Sequence, residues 1–532
     1  MCSGVASVRR ARSFGSRMPT PSRLTIVCVL ALVVGLQSVR VPAAETTAPT
    51  LPELRTLGEL QARLYTHVGQ PRFAPALWGV KVVSLASGRV WFEHDARRLL
   101  SPASNTKLYT GALALDVLGG DHVIRTPVLA TVRPDAAGTV AGDVIVWGRG
   151  DPGWKSRGSD RDFWSAFAPV VEAIERAGVK RITGDLVADA TWFQSLPNGA
   201  GWTADDLNDY YGAEVSAISL EQNYAGLRVT PASAAGQPCL VEWLQPHTGL
   251  TVENRVVTGA ADAARRITPV RVTGETTVYL SGGLPAGGKP EVVDVTVPRP
   301  AAWYAAGLKA ALARKGIAVE GLPRAVRWPE APVARPGLAV LGEAVSAPMR
   351  DLVHGFMKPS QNLETDLIFG HVAELSRNDA TPAGRTTEEL GVAELRAFLQ
   401  REKLPVDEVK FEEGSGLSRN NLTTANATVA LLVAMARHRA AADFERSLPV
   451  AGVDGSLRTR MKGTPAEGNV RAKTGTLRYA NSLAGYVTTA GGERLAFCVM
   501  LNRNSGQPPG RNVREEVDDV AVWLAAFAGR ID

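Results

Sequence analysis

The kind of secondary structure that the sequence predicts changes twice along the chain, and this pattern is the strongest constraint on its architecture. Between about residues 123 and 342, short strands, turns and Gly-rich joints dominate, whereas helical periodicity prevails on both sides. Within that stretch, 228–284 is rich in Val and Thr and predicts a small all-β insertion. The segments 163–177 and 301–315 predict two helices of one layer. We therefore expect a helix-and-sheet domain that is interrupted by insertions.

Regular elements are predicted on both sides of this stretch. Residues 78–85 and 90–93 are β-rich runs around a turn and predict a hairpin, and a helix that stops at Gly119-Gly120 follows. Nearer the carboxyl end we expect three helices, at 364–376, 388–402 and 425–439. A second hairpin, 483–489 with 495–501, and a last helix at 515–527 follow. The predicted fold class is mixed α/β, of the α+β kind, with antiparallel strands.

The net charge does not indicate a nucleic-acid partner. The 532 residues carry a formal charge of +6, but residues 1–44 contain six Arg and no acidic residue. Removing those six from the 59 basic residues leaves 53, which equals the number of acidic residues. The remainder of the chain is formally neutral and lacks the basic excess that nucleic-acid binding requires.

The first 44 residues predict a secretory signal peptide. Arginines precede the uncharged run 24–36, and Ala43 or Ala44 is the expected cleavage position. The run is too short to cross about 30 Å of hydrocarbon comfortably, so no membrane span is expected after cleavage; an uncleaved anchor is the alternative. The mature chain is expected in the periplasm, soluble or loosely attached to the envelope. Its Cys239 and Cys498 are predicted to be separate buried thiols.

Several common catalytic and metal-binding motifs are absent from the sequence. It contains no HExxH, CxxC, GxSxG or GxxxxGK[ST], and its seven His are scattered without ligand-like spacing. Zinc, nucleotide-binding and serine-histidine chemistries therefore lose support. No cofactor and no metal is expected.

The first candidate for chemistry is the pair Ser104 and Lys107, at the start of the helix that ends at Gly119. Residues three apart on a helix are neighbours on one face, so the Lys amine can reach the Ser hydroxyl and, when neutral, take its proton. The chain has twelve Lys, and Lys107 alone has a Ser three residues before it. Taken by itself, the pair is equally compatible with an ordinary helix N-terminus.

Two further motifs follow in the last third of the chain. Ser360-Gln361-Asn362 opens a predicted helix and resembles an N-cap. Lys473-Thr474-Gly475-Thr476 precedes the final hairpin and supplies a cation, two hydroxyls and a Gly that lets a ligand approach a strand edge. Ser-x-x-Lys, Ser-x-Asn and Lys-Thr-Gly in this order are the element set of penicillin-recognising serine enzymes.

On these motifs the chain resembles the low-molecular-mass class C penicillin-binding proteins, which are D-alanyl-D-alanine carboxypeptidases and endopeptidases. Ser104 and Ser360 are 256 residues apart, and that family is known for large domains inserted there. Further matching stretches are Gly150-Asp151-Pro152, Gly201-Trp202 with Asp205-Asp206-Leu207, Tyr211-Gly212-Ala213, and Gly414-Ser415-Gly416-Leu417-Ser418-Arg419. Glu413, where the family usually has Asp, and Gly153-Trp154, where it has Thr-Leu, depart from the pattern.

The resemblance implies a domain plan. A serine β-lactamase/transpeptidase-like domain of antiparallel sheet and helices would consist of residues 45–122 and 343–532. Two nested, mostly-β insertion domains would interrupt it. The outer one would comprise 123–222 and 295–342, and the inner, all-β one 223–294.

The resemblance also implies roles for the motif residues. Ser104 would attack the carbonyl of the penultimate D-Ala, with Lys107 as the base. Ser360 would relay a proton to the leaving amine, and Asn362 would hold Lys107 and the substrate amide by hydrogen bonds.

Residues of the third motif would bind the substrate. Lys473 would supply positive potential, and Thr474 and Thr476 would bind the terminal carboxylate beside Gly475. The backbone N–H groups of Ser104 and Thr476 would form the oxyanion hole.

A further pocket, for the side chain of the peptide's diamino acid, is expected from Trp202, Asp205 and Tyr210. A packed core aromatic at 202 and a helix cap at 205 are the alternative interpretations.

The partners implied are peptidoglycan stem peptides and β-lactam antibiotics. A β-lactamase, an esterase of related fold and a non-catalytic binding module remain alternatives.

Overall fold

The computed structural model describes residues 54–504 and 511–530. The expectations for the first 44 residues, including the signal peptide and its cleavage, concern residues outside this part. The described residues belong to one compact unit. None of their helices combines the length and apolar character that a membrane crossing requires.

Ten α-helices lie in the described part of the chain. They are α1 (Leu57–Val68), α2 (Thr106–Val117), α3 (Ala168–Arg176), α4 (Pro300–Arg314), α5 (Met349–Met357), α6 (Asn362–Ser376), α7 (Thr387–Arg401), α8 (Ala425–Met435), α9 (Ala441–Ser447) and α10 (Val513–Ala526). Every predicted helix is present, with ends that differ by a few residues. The sequence interpretation missed α1, α5 and α9.

Twenty-one strands occur among the same residues. They are β1 (Leu77–Ser84), β2 (Val90–His94), β3 (Arg125–Ala130), β4 (Thr139–Val140), β5 (Val144–Trp147), β6 (Arg181–Ile182), β7 (Leu186–Asp189), β8 (Tyr224–Thr230), β9 (Leu240–Trp243), β10 (Thr251–Gly259), β11 (Arg266–Arg271), β12 (Thr277–Pro285), β13 (Glu291–Thr296), β14 (Ala318–Val319), β15 (Pro323–Val326), β16 (Ala339–Val345), β17 (Val409–Lys410), β18 (Leu422–Thr423), β19 (Arg471–Leu477), β20 (Ala480–Thr488) and β21 (Arg494–Asn502). Both predicted hairpins, β1 with β2 and β20 with β21, are antiparallel pairs.

The main antiparallel sheet joins the two ends of the described chain. Its strand order is β19-β20-β21-β1-β2. In β21, Leu495 and Phe497 pack in the core that contains α1 and α10, whereas Ala496 and Cys498 pack in the core that contains α2 and α8. Because both faces of this sheet are covered by helices, β21 is a continuous apolar run rather than an alternating one.

A second five-stranded sheet, in the order β15-β7-β5-β3-β16, forms in the middle of the chain. Helices α3 and α4 both pack on the face that carries Val128, Val146 and Ala188, so they lie in one layer as predicted. Strand β16 pairs antiparallel with β3, with Val345 opposite Arg125. The segment from β3 to β16 therefore starts and ends on neighbouring strands. The chain on either side of it is brought together, which lets α5 and α6 pack against α2.

Residues 224–296 form two three-stranded sheets, β13-β8-β9 and β10-β12-β11. The segment 228–284, predicted to be all-β, contains no helix in the described structure. The predicted domain ends at residues 294 and 342 fall inside β13 and β16. We propose boundaries at the ends of these strands, after Thr296 and Val345, because a paired strand belongs to its sheet as a whole.

The small β part, residues 224–296, supports a loop of the segment 123–222. The Arg271 N–H donates to Asn208 Oδ1 at 2.7 Å, and the Thr296 hydroxyl donates to the Leu207 carbonyl at 2.9 Å. These bonds fix the segment Ala204–Asn208, which borders the cleft described below.

Two cysteines lie in the described residues, and both are buried and unpaired. Cys239 packs in the core of the middle sheets and Cys498 in the main domain. Burial raises the pKa of the Cys498 thiol to about 12, which keeps it protonated. The prediction of two separate buried thiols is confirmed.

Candidate active site

Ser104 lies on a tight turn at the start of α2. The 3-10 turn Ala103–Asn105 continues directly into the helix. Ala103 has a φ of 48°, in the left-handed region that residues with a Cβ rarely adopt. Gly416 packs against this turn so closely that a Cβ there would lie 2.0 Å from the Ala103 carbonyl oxygen. The surrounding structure thus holds a strained turn that presents Ser104 to a cleft.

Lys107 lies one turn further along α2, and its side chain is fully buried. Its Nζ donates to Ser104 Oγ at 3.0 Å, to Asn362 Oδ1 at 2.6 Å and to the Ser415 carbonyl at 2.5 Å. The predicted contact between Ser104 and Lys107 is therefore present, and Asn362 lies beside the same amine.

Burial also changes the acidity of Lys107. It lowers the pKa of the ammonium to about 8, and the nearby Asp366 and Glu413 carboxyl groups oppose this effect. Neutral amine is consequently available near neutral pH. A neutral amine in hydrogen-bond contact with a serine hydroxyl has the geometry and the basicity of a general base.

Ser360 and Asn362 are brought to the cleft by the start of α6. Asn362 is the first helical residue, and Gln361, not Ser360, is the N-cap, accepting from the Glu364 N–H at 3.4 Å. Ser360 has a φ of 68° and its Oγ accepts from Lys473 Nζ at 2.7 Å. Its left-handed backbone turns the hydroxyl into the cleft instead of toward the helix end.

The third motif occupies β19, at the edge of the main sheet. Lys473 is fully buried, and burial, reinforced by the nearby Lys107 charge, holds the pKa of its ammonium well below its usual value. The Thr474 hydroxyl lies 2.7 Å from Ser456 Oγ. A Cβ at Gly475 would fall 2.4 Å from the Pro102 carbonyl oxygen. Gly475 therefore permits the close approach of this strand to the turn that carries Ser104.

One cleft collects most of the residues that the sequence singled out. Its lining includes, from the three motifs and the predicted side-chain pocket, Ser104, Ser360, Asn362, Thr474, Thr476, Asp205 and Tyr210. Lys107 and Lys473 lie behind this surface and reach it through Ser104 and Ser360. Trp202 does not line the cleft; it borders a second, mostly apolar pocket with Phe193 and Phe369.

This arrangement can be compared with known proteins. The family described as "D-Ala-D-Ala carboxypeptidase 3 (S13) family" matches residues 60–524, which is most of the chain. The chain belongs to this family. The D-alanyl-D-alanine carboxypeptidase of Actinomadura sp. (strain R39) is 34% identical over 531 residues, which cover 98% of this chain and 93% of that protein.

Solved structures show the same fold. Crystal structures of penicillin binding protein 4 (dacB) from Haemophilus influenzae, alone and complexed with a novel β-lactam, superpose with TM-scores of 0.71 and 0.68. They are 24% and 23% identical and cover 86% of this chain and 97% of that protein. The predicted resemblance, the mixed α/β transpeptidase-like fold and the classification as a D-Ala-D-Ala carboxypeptidase of this family are confirmed.

In this S13 family member, two adjacent acids have different environments. Asp206 is buried, accepts from the Thr203 N–H at 2.8 Å and binds the Arg419 guanidinium at 2.6 and 3.0 Å. Asp205 is exposed in the cleft, and its carboxylate has no hydrogen-bond or ion-pair partner among the described residues. The capping carboxylate is therefore Asp206, and the alternative interpretation of Asp205 as a helix cap is wrong.

Sequence reasoning gave no role to several residues of the cleft wall. Four arginines line it, and they come from four separate segments: Arg419, Arg460, Arg478 and Arg514. Arg419 and Arg460 are paired with Asp206 and Asp518. Only Arg478, two residues after the third motif, had a positional signal, because residues that follow a substrate-binding strand edge remain close to the ligand.

Proposed function

We propose that this chain is an exported serine D-Ala-D-Ala carboxypeptidase with D,D-endopeptidase capacity, acting on peptidoglycan stem peptides through an acyl-enzyme at Ser104. The observation that carries the proposal is the 3.0 Å contact between Ser104 Oγ and the Nζ of a completely buried Lys107. A buried amine of lowered pKa beside a hydroxyl that lines a cleft is how a serine is activated without histidine.

In the first step, Ser104 Oγ attacks the carbonyl carbon of the penultimate D-Ala as Lys107 takes its proton. The N–H groups of Ser104 and Thr476 bind the developing oxyanion, a contribution of about 2.7 to 4 kcal/mol for each donor. The carbon–nitrogen bond then breaks as Ser360 relays to the departing amine the proton that Lys107 took from Ser104, so Lys107 is neutral again. D-Ala leaves and the ester on Ser104 remains.

The second step returns the enzyme to its initial state. A water molecule attacks the ester carbonyl while Lys107 takes its proton, and the Ser104–acyl bond breaks with return of the proton to Oγ. Asn362 keeps Lys107 in place through the 2.6 Å hydrogen bond in both steps. Thr474, Thr476 and the positive potential of Lys473 hold the substrate carboxylate.

β-Lactams enter the same pathway as substrate mimics. Their strained amide acylates Ser104, and slow attack by water leaves a long-lived adduct. The β-lactam complex of the Haemophilus influenzae relative supports this expectation. Export to the periplasm places the enzyme beside the peptidoglycan, and the leader of residues 1–44 supports export.

Two measurements on the purified mature protein test the proposal. After incubation with benzylpenicillin, the intact mass of the protein is expected to rise by the mass of one benzylpenicillin molecule. The adduct is expected on the peptide that contains Ser104. A pentapeptide ending in D-Ala-D-Ala is expected to release one D-Ala. An adduct on another residue contradicts the proposal, and rapid benzylpenicillin turnover without an adduct indicates a β-lactamase instead.

We further propose that Asp205 and Tyr210 bind the amino-bearing side chain of the diamino acid. Asp205 is an unpaired carboxylate exposed in the cleft, so an ammonium group is its natural ligand. Asp205→Ala is expected to lower kcat/KM about tenfold for a substrate with a free side-chain amine, since one charge-assisted hydrogen bond is lost.

The controls for this prediction are a second substrate and a second variant. The same peptide with its side-chain amine acetylated is expected to react equally fast with Asp205→Ala and wild type. Asp160→Ala removes an exposed acid outside the cleft and should change neither rate. Equal losses on both peptides would mean that Asp205 supports the loop and does not select the side chain.

A further inference from the structure

Two buried carboxyl groups lie behind Lys107 and are not used by the reaction as described above. Asp366 is on α6, one turn after Asn362, and Glu413 begins the loop that carries Ser415. Both are buried, and both border the mostly apolar pocket that contains Trp202. Their surroundings differ in the number of hydrogen-bond donors.

Glu413 is surrounded by donors. Its carboxylate accepts from the backbone N–H groups of Ser415 at 2.9 Å and Gly416 at 2.7 Å, from Asn421 Nδ2 at 2.7 Å and from the Ser415 hydroxyl. These bonds fold the segment around the carboxylate. Each donor points at a carboxylate oxygen, and this acceptor-only bonding pattern is that of an ionised carboxyl group.

Asp366 has few donors. Its Oδ1 accepts from the Gly414 N–H at 3.1 Å, and its buried Oδ2 makes no hydrogen bond within the described part of the chain. Burial together with the neighbouring Glu413 charge raises the pKa of Asp366 well above its usual value. Two adjacent buried carboxyl groups do not both ionise, so the proton resides on Asp366.

The segment that Glu413 organises contacts the reacting groups directly. The Ser415 carbonyl accepts from Lys107 Nζ at 2.5 Å, and Gly416 packs on the turn that carries Ser104. Two charged groups therefore lie close to Lys107. One is the Glu413 carboxylate on this loop, and the other is the Lys473 side chain on β19 when it is protonated. Glu388 of α7 also lies near Glu413, where it accepts from the Ser195 hydroxyl.

We propose that Glu413 is a positioning residue that acts through Lys107, supplying its negative counter-charge and holding the Ser415 carbonyl against its ammonium, while Asp366 serves as the neutral, protonated partner of Glu413. This inference rests on the proposed function, because it assigns to Lys107 the role of the base. One negative charge then faces one ammonium, and the buried site remains electrically balanced.

The pH profile of acylation tests this assignment. Lys107 is active when neutral, so the second-order rate of benzylpenicillin acylation in the wild type should rise as pH increases through the pKa of Lys107. Glu413→Gln removes the charge that favours the ammonium, so this acid limb should move about one to three pH units lower. Its plateau rate should also fall about tenfold or more because the loop is loosened.

Three variants serve as controls. Asp366→Asn keeps a neutral group of the same shape, so its acid limb should stay within a few tenths of a pH unit of the wild type. Glu413→Asp keeps the charge on a shorter side chain. The pH of its acid limb should therefore match the wild type, while its plateau rate of acylation should fall. Glu412→Gln removes the adjacent, partly exposed carboxylate, which bonds to Asn420, and should change neither.

The outcomes separate this inference from the proposed function. An absent wild-type adduct would defeat the proposed function itself. A normal wild-type profile with an unmoved limb in folded Glu413→Gln would overturn the inference alone. If the acid limb of Asp366→Asn moves as far as the shift expected for Glu413→Gln, the assignment of the proton to Asp366 is overturned. If thermal unfolding shows that Glu413→Gln is not folded, Glu413→Asp is tested in its place. A shifted acid limb in that variant then overturns the inference.

Discussion

Replacement of Lys107 by Arg is expected to reduce acylation of Ser104 by about 10²- to 10⁴-fold. Arg keeps the positive charge and the hydrogen-bond donors but does not release its proton near neutral pH, so it cannot act as a base. The measurement is the rate of benzylpenicillin adduct formation by quenched intact mass. Thermal unfolding of the variant should show a folded protein, because the charge still balances the buried carboxylate.

The matched control for this prediction is Lys462→Arg. Lys462 is exposed and lies outside the cleft, so its replacement should leave acylation unchanged. Ser104→Ala should form no adduct at all. Acylation of Lys107→Arg at the wild-type rate would remove Lys107 from the role of base and leave its contacts to Asn362 and Ser415 as purely structural ones.

Gly475→Ala is expected to lower acylation about 10²-fold while the protein stays folded. The added Cβ would lie 2.1 Å from Ser482 Oγ and 2.4 Å from the Pro102 carbonyl oxygen, so β19 must move away from the Ser104 turn. Thr476, on the same strand, would then be displaced from its position in the oxyanion hole. A displacement of about 1 Å at reacting groups costs roughly 10²-fold in rate.

The comparison variant is Gly58→Ala, at an exposed position in α1 where a Cβ would meet only Thr56 Oγ1 at 3.9 Å. It should retain full activity and gain slightly in stability, since Ala is favoured over Gly in helices. Normal acylation by folded Gly475→Ala would show that the strand and the turn do not need this close contact.

The two buried lysines explain why the site depends on its surroundings. Lys107 and Lys473 are both buried, and the charge of Lys107 adds to burial in lowering the pKa of Lys473. Lys473 directs its ammonium to Ser360 Oγ and the Thr474 carbonyl, which are neutral acceptors. The carboxylate of a bound substrate would complete its charge balance, so ligand binding and the protonation of Lys473 are coupled.

Contacts within one element could be predicted from the sequence. Ser104 and Lys107 are three residues apart at a helix start, and this spacing alone places their side chains together. The apolar runs of β20 and β21 and the turn between them likewise predicted the final hairpin. A similar signal was available for α1, whose buried Leu57, Leu60 and Leu64 follow helical spacing, but the sequence interpretation did not use it.

The remaining contacts of the site join residues that are distant in sequence. Ser360 meets Lys473 across 113 positions, and Lys107 meets Asn362 across 255. Nothing in the local pattern of either segment requires these contacts. The resemblance to a known family anticipated the contact of Lys107 with Asn362, whereas the contact of Ser360 with Lys473 was not predicted.

The sequence by itself determined the elements and the local motif geometry, because helix spacing and strand alternation depend only on neighbouring residues. The tertiary structure decided which of two adjacent acids is paired, since the position of Arg419 selects Asp206 and leaves Asp205 free. It also placed Trp202 outside the cleft and Glu413 behind Lys107. Burial and charge pairing depend on which distant segments pack together, and the spacing of residues along the chain does not encode that directly.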